Sequence, residues 1–304
     1  MITIKKYAAI DIGSNAMRLL ITNIVEQKDK ETQFNKSALI RVPIRLGQDA
    51  FTVGEISEEN IDRMVDAMRA FQLLMKVYKV EKYKACATSA MREAYNGKEV
   101  TEIIRQKSDI DIEIIDGKNE AAIIASSDLH SFINSDKNYL YVDVGGGSTE
   151  FSLFSDGKMV AAKSFKNGTV RLLNNMVNDI VWEEIEKWIK TTTDGYDDII
   201  LIGSGGNINK LFKLSGKQQD KPLSYLYLNS QFQYLNSLTY EQRIAELGLN
   251  TDRADVIIPA TKIYLNAMKW SRSTKIFVPK IGLSDGIVKA MYNGNLDCVD
   301  LSDS

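Results

Sequence analysis

"YVDVGGGSTEFSL", residues 141–153, sets two strand-like runs around three consecutive glycines, with Asp143 on one side and Glu150 on the other. A two-residue hairpin turn needs no such run of glycine. Glycines permit positive φ and remove Cβ atoms, so that amide N–H groups can converge on an anion. The pattern occurs twice. When "YAAIDIGSNAMRLLI" (7–21) is laid over "YLYVDVGGGSTEFSL" (139–153), Tyr7 falls on Tyr139, Asp11 on Asp143 and Gly13 on Gly145, and the apolar alternation matches. Each half of the chain therefore begins with a strand, an Asp-x-Gly turn and a returning strand. That repeat predicts two similar α/β lobes with a cleft between their turns.

The bulk numbers narrow the class. A chain of 304 residues suffices for two domains, and 44% hydrophobic with 26% charged residues is ordinary for a globular protein. A formal net charge of -2 argues against a general nucleic-acid or membrane-surface binder, and no apolar run approaches about 18 residues. Cys86 and Cys298 form no paired-cysteine motif and the N-terminus lacks a signal-peptide pattern, so a cytoplasmic protein with reduced cysteines is expected. His130 is the only histidine, which excludes a multi-histidine metal centre and leaves His130 a structural or surface role. Strands are predicted at 7–12, 18–25, 38–46, 84–88, 111–115, 198–202 and 275–278. Helices are predicted from Ser57 and near 169–177, 182–192, 239–247, 254–270 and 284–293.

Several side chains in these turns have chemistry to offer. Ser14, Asn15, Ser148 and Thr149 add donors to the glycine turns. Asp11, Asp143 and Glu150 supply hard oxygens that suit Mg²⁺ better than Zn²⁺. The plainer alternative is a pair of tight hairpins with solvated acids. A third cluster, "GSGGN" at 203–207, sets Gly205 and Gly206 between a strand and a helix start, where unpaired amides favour anions. It matches neither the dinucleotide fingerprint nor the P-loop. Arg18 and Arg92 are candidates to clamp phosphate oxygens, or are ordinary ion pairs. Glu120, in the first turn of a helix after "IIDGKN", is either a helix-dipole partner or a carboxylate that orients and deprotonates water. Lys163, Lys166 and Arg171 in "KSFKNGTVR" would line a groove for a long anion, or form a solvated face.

"AAIDIGSNAMRLLI", "RLGQDAF", "ATSAMREA", "DGKNEA", "VDVGGGSTEF", "NGTVRL", "IGSGGN" and "DRADVIIPA" occur in an order and spacing that resembles the exopolyphosphatase/guanosine-pentaphosphate phosphohydrolase (Ppx/GppA) family of the actin-like ATPase superfamily. The resemblance runs from about residue 7 to 286. It implies an α/β fold of two ribonuclease-H-like lobes around a central cleft. The lobes would be 1–127, joined by a C-terminal helix at 285–304, and 128–284. It also implies Mg²⁺-dependent hydrolysis of the terminal phosphate of inorganic polyphosphate or the 5′ phosphate of pppGpp.

By this resemblance Glu120 falls on the catalytic glutamate. Asp143 and Glu150 fall on acids that position metal and water, with Asp11 as a further metal ligand. Arg18 and Arg92 fall on phosphate-contacting positions. Gly145, Gly146, Gly147 and Ser148 would form one phosphate loop, Gly205 and Gly206 another, with Ser14 and Asn15 on the opposing lobe. The expected ligands are polyphosphate or guanosine penta- and tetraphosphate, with no DNA and no membrane, and a homodimer is expected from the family. Three departures stand out. Asn119 and Ala122 replace the family's usual acid and arginine beside the glutamate, and "GIVKA" (286–290) replaces Gly-Leu-Arg-Glu-Gly. A chain ending at Ser304 is also expected to lack the helical extension of some members. These departures keep open a non-catalytic pppGpp/ppGpp or nucleotide sensor on the same scaffold, and a kinase of the superfamily as a third reading.

Overall fold

The protein is described by a computed structural model covering residues 2–127, 133 and 136–301. Contacts divide it into two compact units, Met1–Asp128 with Leu283–Ser304, and Leu129–Gly282. His130 and residues 302–304 of the expected C-terminal helix lie outside the described residues.

The first unit opens with an antiparallel meander of β1 (Ile2–Ile12), β2 (Ala16–Gln27) and β3 (Gln33–Pro43). Tyr7–Ile12 of β1 are all buried, so the strand reads as a continuous apolar run rather than an alternation. Helices α1 (Leu46–Thr52) and α2 (Glu58–Tyr78) follow. The Ser57 side chain accepts from the Asn60 amide and so caps α2 as its sequence predicts. β4 (Lys82–Ala87) runs parallel to β1, and after α3 (Ser89–Glu93) and α4 (Gly97–Ser108), β5 (Ile112–Ile114) runs parallel to β4. α5 (Gly117–Ala125) starts at Asp116, whose carboxylate accepts from the Asn119 amide at 2.7 Å. The sheet order is therefore β3-β2-β1-β4-β5.

The second unit repeats this order. β6 (Tyr139–Val144), β7 (Thr149–Ser155) and β8 (Lys158–Phe165) form the meander, closed at Asp156-Gly157 by a turn with positive φ at both residues. α6 (Thr169–Leu173) and α7 (Asp179–Thr192) lead to β9 (Ile200–Ser204), which is parallel to β6. Then come α8 (Gly206–Leu214), β10 (Leu223–Ser224), α9 (Tyr225–Ser237), α10 (Tyr240–Leu247), α11 (Thr251–Ala254), α12 (Ile257–Trp270) and β11 (Lys275–Phe277). β11 is parallel to β9, which gives β8-β7-β6-β9-β11, with β10 added antiparallel at the edge. The duplication suggested by 15 aligned residues thus spans five strands in each unit. Leu140, Val142, Phe151, Leu201, Ile263, Tyr264 and Ile276 belong to one apolar core beneath this sheet.

Helices α1 and α9 depart from the sequence reading. α1 starts at Leu46, where a strand is predicted through 46. α9 is not predicted at all, because only Leu228 and Leu235 of its 13 residues are buried and no stripe marks it.

The chain then returns to the first unit through α13 (Leu283–Tyr292) and β12 (Val299–Asp300), which pairs antiparallel with β4. The helix expected over 285–304 stops at Tyr292, and the chain turns at Gly294, with φ 71°, towards β12. α13 lies so close to α5 that a Cβ on Gly286 would sit 2.1 Å from the Ile123 carbonyl oxygen. Lys36 and Asp285 (2.7 Å) and the Tyr292 hydroxyl on Glu26 (2.8 Å) fasten α13 to the meander. Among the described residues no helix is long and apolar enough to cross a membrane.

Candidate active site

Both glycine turns close by the same bond. Gly13 N–H donates to Ala16 O at 3.1 Å, and Gly145 N–H donates to Ser148 O at 3.0 Å. The equal turn length puts Asp11 opposite Arg18 and Asp143 opposite Glu150. Side chains directly opposite across a sheet share a face. Each turn therefore heads a row that crosses its sheet: Arg41, Arg18, Asp11 and Cys86 in the first unit, and Ser164, Glu150, Asp143 and Ser204 in the second.

In the first row the buried Asp11 carboxylate, expected as a metal ligand, accepts from the Arg18 guanidinium at 2.6 Å. Cys86, beside it on β4, is fully buried, which pushes its thiol up to about 12 and keeps it uncharged at neutral pH. The turn is tied down from two sides. Ser14 Oγ lies 2.9 Å from Ser89 Oγ at the start of α3, while the Ser14 and Asn15 carbonyls accept from the Gly47 and Arg45 amides at 2.7 and 3.0 Å. Arg92, in the last turn of α3, donates to Ile115 O at 2.6 Å, and the same guanidinium lies 3.8 Å from Glu120 Oε2. Glu120 occupies the first turn of α5 and is only 9% exposed. The structure thus brings Arg92 and Glu120 together, and separately brings Arg18 to Asp11.

In the second row, Glu150 Oε1 accepts from Ser148 Oγ at 2.5 Å and from Ser164 Oγ at 2.9 Å. Asp143 Oδ2 accepts from the Tyr141 hydroxyl at 3.4 Å. Burial, and next the Asp143 charge, push the Tyr141 and Tyr264 phenols well above their usual value, so both remain donors. Tyr264 donates to the Ser204 carbonyl, at the end of β9. Gly205 follows with φ 118°, and a Cβ there would lie 2.9 Å from Val144 O and 3.7 Å from Asp143 Oδ1. This close approach sets the third glycine loop, and Gly206 at the start of α8, beside Asp143.

Arg171 corrects the groove reading. It is 7% exposed and its Nε donates to the Gly147 carbonyl at 2.8 Å, so it lines no surface groove. Lys163 instead lies 4.6 Å over the Phe165 ring. Ser89, Tyr141, Ser164 and Tyr264 all escape the sequence reading. Ser164 had a usable signal, since the Asp156-Gly157 turn brings β8 back alongside Glu150.

Among the described residues no group of three or more His, Cys, Asp or Glu side chains gathers. Asp143 and Glu150 remain a facing pair of hard oxygen donors.

Residues 24–293 match the Ppx/GppA phosphatase family. The chain belongs to this family. It is 30% identical over 306 residues to a guanosine-5′-triphosphate,3′-diphosphate pyrophosphatase of Photobacterium profundum, covering 94% of this chain and 59% of that one. It is 28% identical over 312 residues to a bifunctional 3-dehydroquinate synthase/phosphatase of Fusobacterium nucleatum, covering 94% of this chain and 46% of that protein. The chain thus spans about half the length of these curated relatives. The crystal structure of an exopolyphosphatase from Cytophaga hutchinsonii matches with a TM-score of 0.83 and 25% identity, covering 95% of this chain and 98% of that one. A Ppx/GppA family member from Aquifex aeolicus matches in fold with a TM-score of 0.74 at 23% identity, covering 97% and 100%. The architecture is therefore the α/β, two-lobed actin-like one of this Ppx/GppA family.

Proposed function

We propose that this Ppx/GppA chain is a Mg²⁺-dependent phosphohydrolase that removes the terminal phosphate of inorganic polyphosphate, the 5′ phosphate of pppGpp, or both. The observation that carries the reading is the second turn, where a three-glycine tip sits between two carboxylates directly opposite each other. Like charges face to face are costly without a compensating cation, and oxygen donors of this kind suit Mg²⁺, which takes one or two carboxylates and completes its shell with water and substrate phosphates. The names of the relatives, an exopolyphosphatase and a guanosine pentaphosphate pyrophosphatase among them, support the same substrate class.

In this mechanism the amides of the Gly145–Ser148 turn and of Gly205 and Gly206 hold phosphoryl oxygens. Arg18, kept in place by Asp11, and Arg92 are the guanidinium groups that the first unit offers to phosphate oxygens. Asp143 and Glu150 would hold Mg²⁺, which would supply positive charge against the phosphate oxygens. Glu120 orients the attacking water and accepts its proton, and Arg92 beside it fixes the carboxylate. Phosphoryl transfer has a loose transition state, so positioning counts for more than full deprotonation. Polyphosphate and pppGpp present the same terminal group, which is why both belong to the proposal. A cytoplasmic setting fits the two free cysteines.

The test is orthophosphate release with Mg²⁺ from polyphosphate and from pppGpp by the wild type and Glu120→Gln. Loss of a general base costs about 10²–10⁴-fold in turnover, with substrate binding retained. Equal turnover by the variant removes Glu120 from the role. Silence of the wild type on both substrates, with pppGpp bound, makes the chain a sensor instead.

A further inference from the structure

We propose that the segment Phe165–Arg171 is a positioning strap for the phosphate loop, and that Arg171 is its principal residue. The inference rests on the phosphohydrolase reading for its consequence, but on geometry for its existence. The three carbonyls of the glycine tip all accept from one segment: Gly145 O from the Thr169 amide (3.0 Å), Gly146 O from the Val170 amide (2.9 Å), and Gly147 O from Arg171 Nε (2.8 Å). In a trans peptide the carbonyl and the following N–H point in opposite directions. Fixing these three carbonyls therefore turns the amides of Gly146, Gly147 and Ser148 to the other side. Among the described residues none of those three amides donates to a backbone carbonyl. They form the row of converging donors that an anion needs.

The strap is built for close approach. A Cβ on Gly168 would fall 2.2 Å from the Gly146 carbonyl oxygen, so only glycine lets the two backbones meet. Thr149, just after the tip, donates its hydroxyl to the Asn167 carbonyl. Asn167 is fully buried, and neither polar atom of its side chain has a hydrogen-bond partner. A leucine of similar volume would pack there without that desolvation cost, so packing alone does not explain the asparagine. Arg171 reaches the tip with its side chain. Its cation also sits behind a peptide whose N–H faces the anion, which strengthens that donor.

The experiment compares the full chain with Arg171→Met, Arg171→Lys and, as a charge-removal control, the exposed Lys190→Met. Hydrogen exchange of peptides spanning 144–149 and steady-state phosphate release are measured on each. A misplacement of about 1 Å in a positioning element costs on the order of 10²-fold. Arg171→Met is expected to exchange faster across the tip and to lose kcat by about that factor, with KM changed less and the melting temperature close to wild type. Arg171→Lys, which keeps a charge and a donor, should recover part of the loss, and Lys190→Met should match the wild type. Unchanged exchange, or faster exchange with kcat within threefold of wild type, overturns the proposal. So does a rate loss that tracks a fall in melting temperature and is not recovered by lysine. If the wild type releases no phosphate, the hydrolase reading fails, and the exchange arm still decides whether Arg171 holds the loop.

Discussion

The two Asp-Gly hairpins are nearly the same object with one charge exchanged. Each closes through an identical turn bond, each belongs to a six-strand sheet in which five strands share the same order, and each is held from behind by the segment that follows the third strand. In the first unit that segment is Arg45–Gly47, and in the second it is Asn167–Arg171. Gly47 crowds Ser14 as Gly168 crowds Gly146, and Ser14 and Gly146 are equivalent positions in the repeat. The difference lies opposite the aspartate. Arg18 faces Asp11 and closes an ion pair, whereas Glu150 faces Asp143 and leaves two carboxylates in a row with Ser164 and Ser204. One scaffold thus yields a guanidinium held in a fixed direction in the first unit and a facing pair of carboxylates in the second. The repeated frame is the same in both units, and the residue facing the aspartate differs in charge.

That difference can be attacked directly. Asp143→Asn should cost turnover about 10³-fold, because metal stabilisation of a phosphoryl transition state is worth several kcal/mol and each 1.36 kcal/mol is tenfold. Asp11→Asn should cost only roughly tenfold and chiefly in KM, since it loosens Arg18 by one charge-assisted hydrogen bond. Phosphate-release kinetics on both variants check this, and equal losses would erase the distinction between the hairpins. Next in size, Gly168→Ala should destabilise by about 1–3 kcal/mol, because the clash is with backbone. Gly47→Ala should cost less. Its nearest contact is the Phe51 ring at 2.8 Å, which can shift, and denaturant unfolding of the pair ranks them.

The smallest effect is at the docking of α13. The Lys5 ammonium first, and the Tyr292 hydroxyl second, hold the Glu26 carboxyl below its ordinary value. A depressed carboxyl stabilises the fold above its unfolded value and loses that contribution as pH falls through the folded one. Tyr292→Phe should therefore melt slightly lower than wild type at neutral pH, and the gap should narrow in acid. A gap that widens in acid would reverse the sign and break the assignment.

Much of the frame was legible because strands, turns and caps are signalled by local pattern. The glycine tips, the Ser57 cap and the Asp156-Gly157 turn are all short-range signals that the structure keeps. The Asp11–Arg18 pair was also within reach. A four-residue tip from Gly13 to Ala16 fixes the register, yet the two residues were read separately, one as a metal ligand and one as a phosphate clamp. α9 was hidden because its 13 residues bury only two leucines seven apart, which leaves no apolar stripe to mark a helix. Arg171 was misread for a different reason. A basic residue near two lysines suggests a surface, and only the folded path of the segment shows its side chain turned onto the glycine tip.

The most direct test of the central claim is to make the second hairpin resemble the first. Glu150→Arg would face Asp143 with a guanidinium, as Arg18 faces Asp11, and orthophosphate release would be followed with and without Mg²⁺ on polyphosphate and pppGpp. Release by the wild type that requires Mg²⁺, with a folded but inactive Glu150→Arg, is the predicted result. Wild-type release that persists in chelator, or a Glu150→Arg variant as active as the wild type, would contradict it.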